Sequence, residues 1–283
     1  MSPPPQPIEC AGHPRDMGLA QGRALRAAIR AAVAGAGLPR RRARWPSLRP
    51  LVSGPLRGRG AGRELFRHFA HQAERLEGLA EGAEVPLDSV LELQLRMRSG
   101  DGGPGAIVRA SRPVVGFRSL EVTWPWLVPA VAGVNEAGLA VLARTPVAVH
   151  GGDPAIHREG GAPPLLLVQD CLARFEDLAG ALDWCRKRPV EGEQTLVLAD
   201  ASGAMAEVVV SGRMRRIVPA VSASRSESGA VEGGASSQRL GRELDAERGV
   251  GVRLDPIGRA LWLDPPIGAE EGAPRRFALA ATN

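Results

Sequence analysis

Apolar side chains recur along the chain first at helical spacing and then at strand spacing. In Gly12 to Ala34, Met17, Leu19, Leu25, Ile29 and Val33 fall near a 3.6-residue period and predict one amphipathic helix. Pro39 to Gly62 is crowded with Pro, Gly and Arg and reads as a loop. A second helix is expected from about Arg63 to Glu81, and Pro86 and Asp88 open a third. Proline's fixed φ suits the first helical turn, and an aspartate there faces the positive end of the helix dipole. The run Ser99 to Gly105 (SGDGGPG) is a sharp break, and β-rich pieces follow at Ala106 to Ala110, Pro113 to Phe117 and Glu121 to Trp124. Val128 to Val134 and Leu139 to Ala143 predict a hairpin that turns at Asn135-Glu136-Ala137-Gly138. Pro164 to Arg186 predicts a long helix, with Leu165, Val168, Leu172, Phe175, Leu178, Leu182 and Cys185 on or near one face. Thr195 to Ala199 and Ala206 to Val210 read as strands around Asp200-Ala201-Ser202-Gly203. Ser222 to Ser237, rich in Ser and Gly, reads as a surface loop. A short helix near Gln238 to Ala246 and a strand at Arg259 to Leu263 close the chain.

Helices first, then many short strands with helices between them, fit a layered α/β or α+β architecture, and α+β is the class expected here. No internal repeat is visible, so 1–283 reads as a single domain, with a helical region over 1–105 and a strand-rich core over 106–283. An apolar fraction of 44% supplies an ordinary core, but with 4% aromatics and no tyrosine it must be built from Leu, Val and Ala. The basic side is almost all arginine, with Lys187 the single lysine, which reads as a GC-rich coding bias. That weakens any functional reading of the net charge of +5, a charge that favours acidic partners in general. No run of about 18 apolar residues exists, so no membrane span is expected. Met1 to Glu9 reads as a proline-rich polar tail without the layout of a signal peptide. Cys10, Cys171 and Cys185 suit neither a disulfide framework nor a zinc site, and a cytoplasmic, reduced protein is the default.

Several stretches, taken in order, resemble the isopenicillin-N acyltransferase family of N-terminal-nucleophile hydrolases. AGHPRDMGLAQG (Ala11 to Gly22) and LEGLAEGAEVPLDSVLELQLRM (Leu76 to Met97) are similar to the family's helical pro-segment. AGVNEAGLAV (Ala132 to Val141) resembles its hairpin "GmNeaGLav", and PPLLLVQDCLARFEDLAGALDWCRKRP followed by TLVLADASGAMAEVV resembles its long helix and next strand pair. SSQRLGREL and GRALWLDPP stand where the family's closing blocks are expected. The resemblance implies an αββα sandwich of four layers. It also implies a precursor that cuts itself before a cysteine, which then serves as thiol nucleophile and, through its α-amine, as its own base. The reaction class is cleavage or transfer of an acyl group at an amide, with no metal or organic cofactor. A small acylated molecule is the partner it implies, and neither nucleic acid nor membrane is expected.

The family's cysteine should begin the first strand after the pro-segment, and here that slot falls on Gly103, Pro104 or Gly105. None carries a nucleophile, and no thiol is expected near that strand. GFRSLE takes the place of the family's "GRNlD": Arg118 stands at the arginine and Glu121 at the aspartate that contacts the α-amine. Both are candidate catalytic relics or, equally, an ion pair on a strand. Asn135 in the hairpin is a candidate substrate contact. AVSASRSES stands where the oxyanion asparagine of "tNH" belongs and has none. Such a donor carries about 10²–10³ in rate, and losing the nucleophile costs roughly 10⁶ in a well-studied protease. The chain therefore reads as a pseudoenzyme of this family. The active alternative needs another nucleophile: Ser99, about seven residues ahead of the strand, or Cys10 after loss of the tail.

The remaining motifs favour plain readings. Cys171 and Cys185 sit on or near an apolar helix face, where a free cysteine acts as a small hydrophobe. His68 and His71, near Glu64, Arg67 and Glu74, match no metal-ligand spacing and read as a solvated helix face. His150 and His157 flank a Gly-rich loop. Arg40 to Arg44, accompanied only by Trp45, could meet phosphate but reads as a solvated loop.

Overall fold

The computed structural model describes residues 6–39, 56–96, 105–144, 161–219, 240–241, 252–263 and 275–279. Within them, β1 (Ile8–Gly12) precedes five helices: α1 (Pro14–Ala24), α2 (Arg26–Gly35), α3 (Leu56–His68), α4 (Ala70–Ala83) and α5 (Leu87–Arg96). Strands β2 (Ile107–Pro113), β3 (Ser119–Thr123), β4 (Ala132–Asn135) and β5 (Ala140–Arg144) follow, then α6 (Leu166–Arg174) and α7 (Leu178–Lys187). β6 (Gly192–Ala199), β7 (Met205–Gly212) and β8 (Met214–Pro219) complete one sheet of eight strands in chain order. A second sheet has four strands, β9 (Leu240–Gly241), β10 (Val252–Asp255), β11 (Ala260–Leu263) and β12 (Arg275–Ala278). The molecule is thus a mixed α/β fold. β2 to β8 pair antiparallel in chain order, with α6 and α7 inserted between β5 and β6, while β1 joins β2 in parallel across nearly a hundred intervening residues.

The predicted hairpin is present as β4 and β5, paired Ala132 to Leu142. β1 corrects the reading of the first residues as a tail, since Ile8 and Glu9 lie in it. It also brings part of the 1–105 region into the sheet. Each of three predicted long helices is two. α1 passes to α2 at Leu25, α3 to α4 at the buried Phe69, and α6 to α7 through the extended Phe175, after which Asp177 caps α7 by accepting from Gly180 N. Breaks of this kind keep the apolar period, so the pattern alone does not reveal them. α3 also extends into the stretch read as a loop, and Val114 to Phe117 turns rather than pairing. The Arg40 to Arg44 cluster, His150, His157, Ser99 and Ser222 to Ser237 lie outside the described residues. No helix among the described residues is long and apolar enough to cross a membrane.

α6 packs against β4 and β5 and α7 against β7 and β8, with Val168, Leu172, Ala181 and Cys185 buried. The small sheet touches β4 through β10 and β11, burying Val252, Leu254 and Leu261. Among the described residues α1 and α4 make the most extensive helix contact, and glycine is the reason. A Cβ on Gly18 would lie 1.9 Å from Arg75 O, and one on Gly78 2.0 Å from Arg15 O. Gly22 and Gly82 repeat the arrangement one turn on. Small residues four apart on both helices let the backbones touch, and this contact lays α4 beside β1 and β2.

Candidate functional site

Strand alternation gathers polar side chains on one face of the large sheet. Cys10, Ser111, Ser119 and Asn135 stand in register across β1 to β4. The next row on that face holds Arg109, Glu121 and Gly133. α1, α4 and α6 cover the face and contribute Gln21, Arg75 and Gln169. All of these side chains are buried.

At the centre is an ion pair with no solvent contact. Arg109 Nε and Nη2 donate to Glu121 Oε2 at 2.6 and 2.5 Å. Arg109 Nη1 donates to Gln21 Oε1 at 2.6 Å, and Nη2 also reaches Val128 O and Gln169 Oε1, both at 2.9 Å. Glu121 further accepts from Ser111 Oγ, Ser119 Oγ and Gln169 Nε2 at 2.9, 2.6 and 2.8 Å. Carbonyls of the loop between β3 and β4 are met by amide side chains of α1 and α5: Gln21 donates to Pro125 O and Leu127 O, Gln94 to Trp126 O. A buried loop survives where its polar backbone groups find partners of this kind. Burial opposes ionisation of Glu121, yet Arg109 and then Arg75, with hydrogen bonds from Ser119 and Gln169, hold its carboxyl down at about 2.

Arg75 stands one step further along β2, donating from Nη2 to Ser111 Oγ at 3.1 Å. Burial and then the neighbouring Arg109 bring its guanidinium down to about 10, against the pull of Glu121. Cys10 lies beside it, and burial pushes its thiol up although Arg75 and Arg109 oppose the shift. Next to this cluster a cavity of about 450 Å³ opens between the start of α1, α4, the end of α6 and the turn after β2. His71 stands on its wall, bound through Nε2 to the buried Asp170 Oδ1 at 2.7 Å and through Nδ1 to Arg174 Nη2 at 3.2 Å. Gln72 and Trp184 complete the donors to Asp170.

The structure places the expected residues differently from the sequence reading. Gly105 is exposed two residues ahead of β2, and nothing lies within 4 Å of where its Cβ would be. Gly103 and Pro104 fall outside the described residues. Glu121 is paired with Arg109, not with Arg118, which donates from Nε to Glu136 Oε2 at 2.6 Å. Three residues of separation along an extended strand put two side chains on opposite faces, so Arg118 and Glu121 are not brought together. Asn135 has no bond left for a ligand: Nδ2 donates to Leu172 O and Phe175 O, and Oδ1 accepts from Ala137 N and Leu139 N. It ties the hairpin turn to the end of α6. Cys10 corrects the expectation that no thiol lies near the first strand, because β1 is that strand's neighbour. His71 is drawn into hydrogen bonds with Asp170 and Arg174 rather than left on a solvated face, while His68 bonds Glu64 at 3.3 Å. Arg109, Arg75, Gln21 and Gln169 were not anticipated. The signal available was a charge at the middle of an apolar strand, Val108-Arg109-Ala110.

No family model matches the chain, and no curated protein matches it. Among solved structures it is similar over part of its length to penicillin V acylase from Agrobacterium tumefaciens, at 22% identity over 36% of this chain and 33% of that chain, with a TM-score of 0.28. It is also similar to a mutant of the conjugated bile acid hydrolase from Clostridium perfringens, at 13% identity over 43% of this chain and 39% of that chain, with a TM-score of 0.28. The matched stretches span less than half the length of either protein.

Proposed function

We propose that the chain is a degenerate acyltransferase or amidohydrolase of the N-terminal-nucleophile type, built on a reduced αββα sandwich and impaired for amide hydrolysis. The supporting observation is the Arg109–Glu121 pair. The family resemblance puts Glu121 where a carboxylate holds the positive α-amine of a freshly cut chain. In this protein the cation on that carboxylate belongs to Arg109, on the strand directly opposite, and is fully buried with it. A site whose carboxylate is already neutralised from within has no use for a new amine. Gly105, the described member of the nucleophile slot, brings no reactive side chain.

The active alternative is to be sought in the serines beside the cavity. Ser119 Oγ donates to Glu121 at 2.6 Å, an arrangement of nucleophile and carboxylate. A carboxyl held at about 2 is a feeble proton acceptor near neutral pH, since a general base works best with a pKa close to the operating pH. Ser119 is therefore read as an anchor of Glu121.

Intact mass under denaturing conditions, joined to an amidase assay, tests the reading. Penicillin V and a conjugated bile acid, the compounds named in the two partial matches, serve as probes. One species of 29.8 kDa without turnover is expected. Gly105→Cys should remain uncut and inactive, because Arg109 still occupies the carboxylate. Two fragments of about one third and two thirds of the chain, or brisk turnover by the unaltered protein, would reverse the proposal.

A further inference from the structure

We infer that the cavity beside α1 and α4 binds a small monocarboxylate with an apolar body, whether or not the chain cleaves amides. Its volume of about 450 Å³ suits a small molecule. It opens at Ser111 and Pro113, the far end of β2 from Gly105, and its wall is two-sided. Met17, Pro113, Val114, Phe117 and Ala173 supply apolar lining, and Arg75 brings a charge.

Charge balance carries the argument. The buried cluster holds two cations, Arg75 and Arg109, and one anion, Glu121. Cys10, kept as a neutral thiol by burial, adds no second negative charge. Asp170 and Arg174 offset one another through His71, whose two ring nitrogens they occupy. Arg109 is bonded through Nε, Nη1 and Nη2 to Glu121, Gln21, Val128 O and Gln169, so the surplus rests on Arg75. That residue is 4% exposed, meets only the uncharged Ser111 hydroxyl and Cys10 thiol, and its Nε has no partner among the described residues. An uncompensated buried cation is costly, and an anion seated against it removes the cost. One surplus charge fits one carboxylate better than a dianion. The neighbouring apolar wall fits a hydrocarbon body behind that head.

Calorimetric titration of the full chain with octanoate, octanol, octylammonium and inorganic phosphate tests the assignment. Octanoate should saturate one site at least tenfold more tightly than octanol, with no saturable heat from octylammonium or phosphate. Arg75→Gln should erase the preference for octanoate over octanol. Val114→Asp, at a position 62% exposed on the rim, should weaken octanoate about fivefold by repulsion without disturbing the fold. If Arg75→Gln does not fold, the Val114→Asp result decides. Equal binding of octanoate and octanol, tighter binding of phosphate, no saturable octanoate binding, or octanoate affinity unchanged in Val114→Asp would each overturn the assignment.

Discussion

Two arginine–glutamate pairs flank the same strand, and they belong to different worlds. Arg118 and Glu136 meet at 2.6 Å with about a quarter of each side chain still exposed, at 26% and 24%. Arg109 and Glu121 meet at 2.5 Å with neither exposed at all. Contact distance hardly separates them. Surroundings do. The outer pair trades one hydration shell for another, and exposed pairs of this kind contribute about 0–1 kcal/mol. The inner pair has left water altogether, and is tolerable only because Gln21, Gln169, Ser111, Ser119 and loop carbonyls satisfy what the two charges leave over. Losing one partner inside is therefore far more damaging than losing one outside.

The largest effect should come from Arg109→Met, which takes from the buried Glu121 its directly bonded cation and leaves it only Arg75, reached through Ser111. We expect a loss of about 3–5 kcal/mol by chemical denaturation, much of it recovered in Arg109→Met/Glu121→Leu. A double variant no more stable than the single one would show that the charges are not the coupled unit described. Acid should act next. Glu121 sits at about 2 when folded against an ordinary value of 4.5, a depressed pKa. Its contribution is fully present above about pH 4.5 and is lost as pH falls towards 2, on the order of 3 kcal/mol in all. Denaturation midpoints measured between pH 5 and 2 should fall more steeply in the native chain than in Glu121→Gln.

Gly78→Ala probes the helix contact that holds Arg75 over the inner pair. Its new Cβ would stand 2.0 Å from Arg15 O, backbone that cannot swing aside, so a loss of up to about 3 kcal/mol is expected. A thermal midpoint within error of the native value would remove that contact from the account. The smallest effect belongs to the outer pair. Arg118→Ala should change stability by less than about 1 kcal/mol. A loss matching that of Arg109→Met would collapse the distinction between the two pairs.

Much of the architecture could be read from the chain, because it rests on local periodicity. The β4–β5 hairpin, β6, β7, β11 and the apolar face of α6 follow from residues a few positions apart. β1 could not be read that way. Its partner lies about a hundred residues on, and five residues after a run of prolines carry little pattern of their own. The candidate site was legible in its parts and not in its pairings. Glu121 was singled out, yet its cation comes from the opposite strand, and cross-strand register depends on turn geometry that residue spacing does not encode. Gln21, Arg75 and Gln169 belong to three helices that converge only after folding. The glycines four apart in GLAQG and GLAEG were the overlooked clue, since they mark where two of those helices touch.

The parallel pairing of β1 with β2 has a consequence for how the protein would behave if it were severed. Ile8 to Gly12 lies on one side of any cut made between α5 and β2, and the strand it is bonded to lies on the other. Arg75 on α4 binds the same two parts together through Ser111 on β2, and Gln21 on α1 does so through Arg109. A nicked chain would thus travel as one particle, its halves complementing each other like a reassembled split protein. Gel filtration would report the native size whether the backbone were whole or broken, while a denaturant would release the smaller piece. Two separately expressed halves, divided at that junction, should find each other in solution for the same reason.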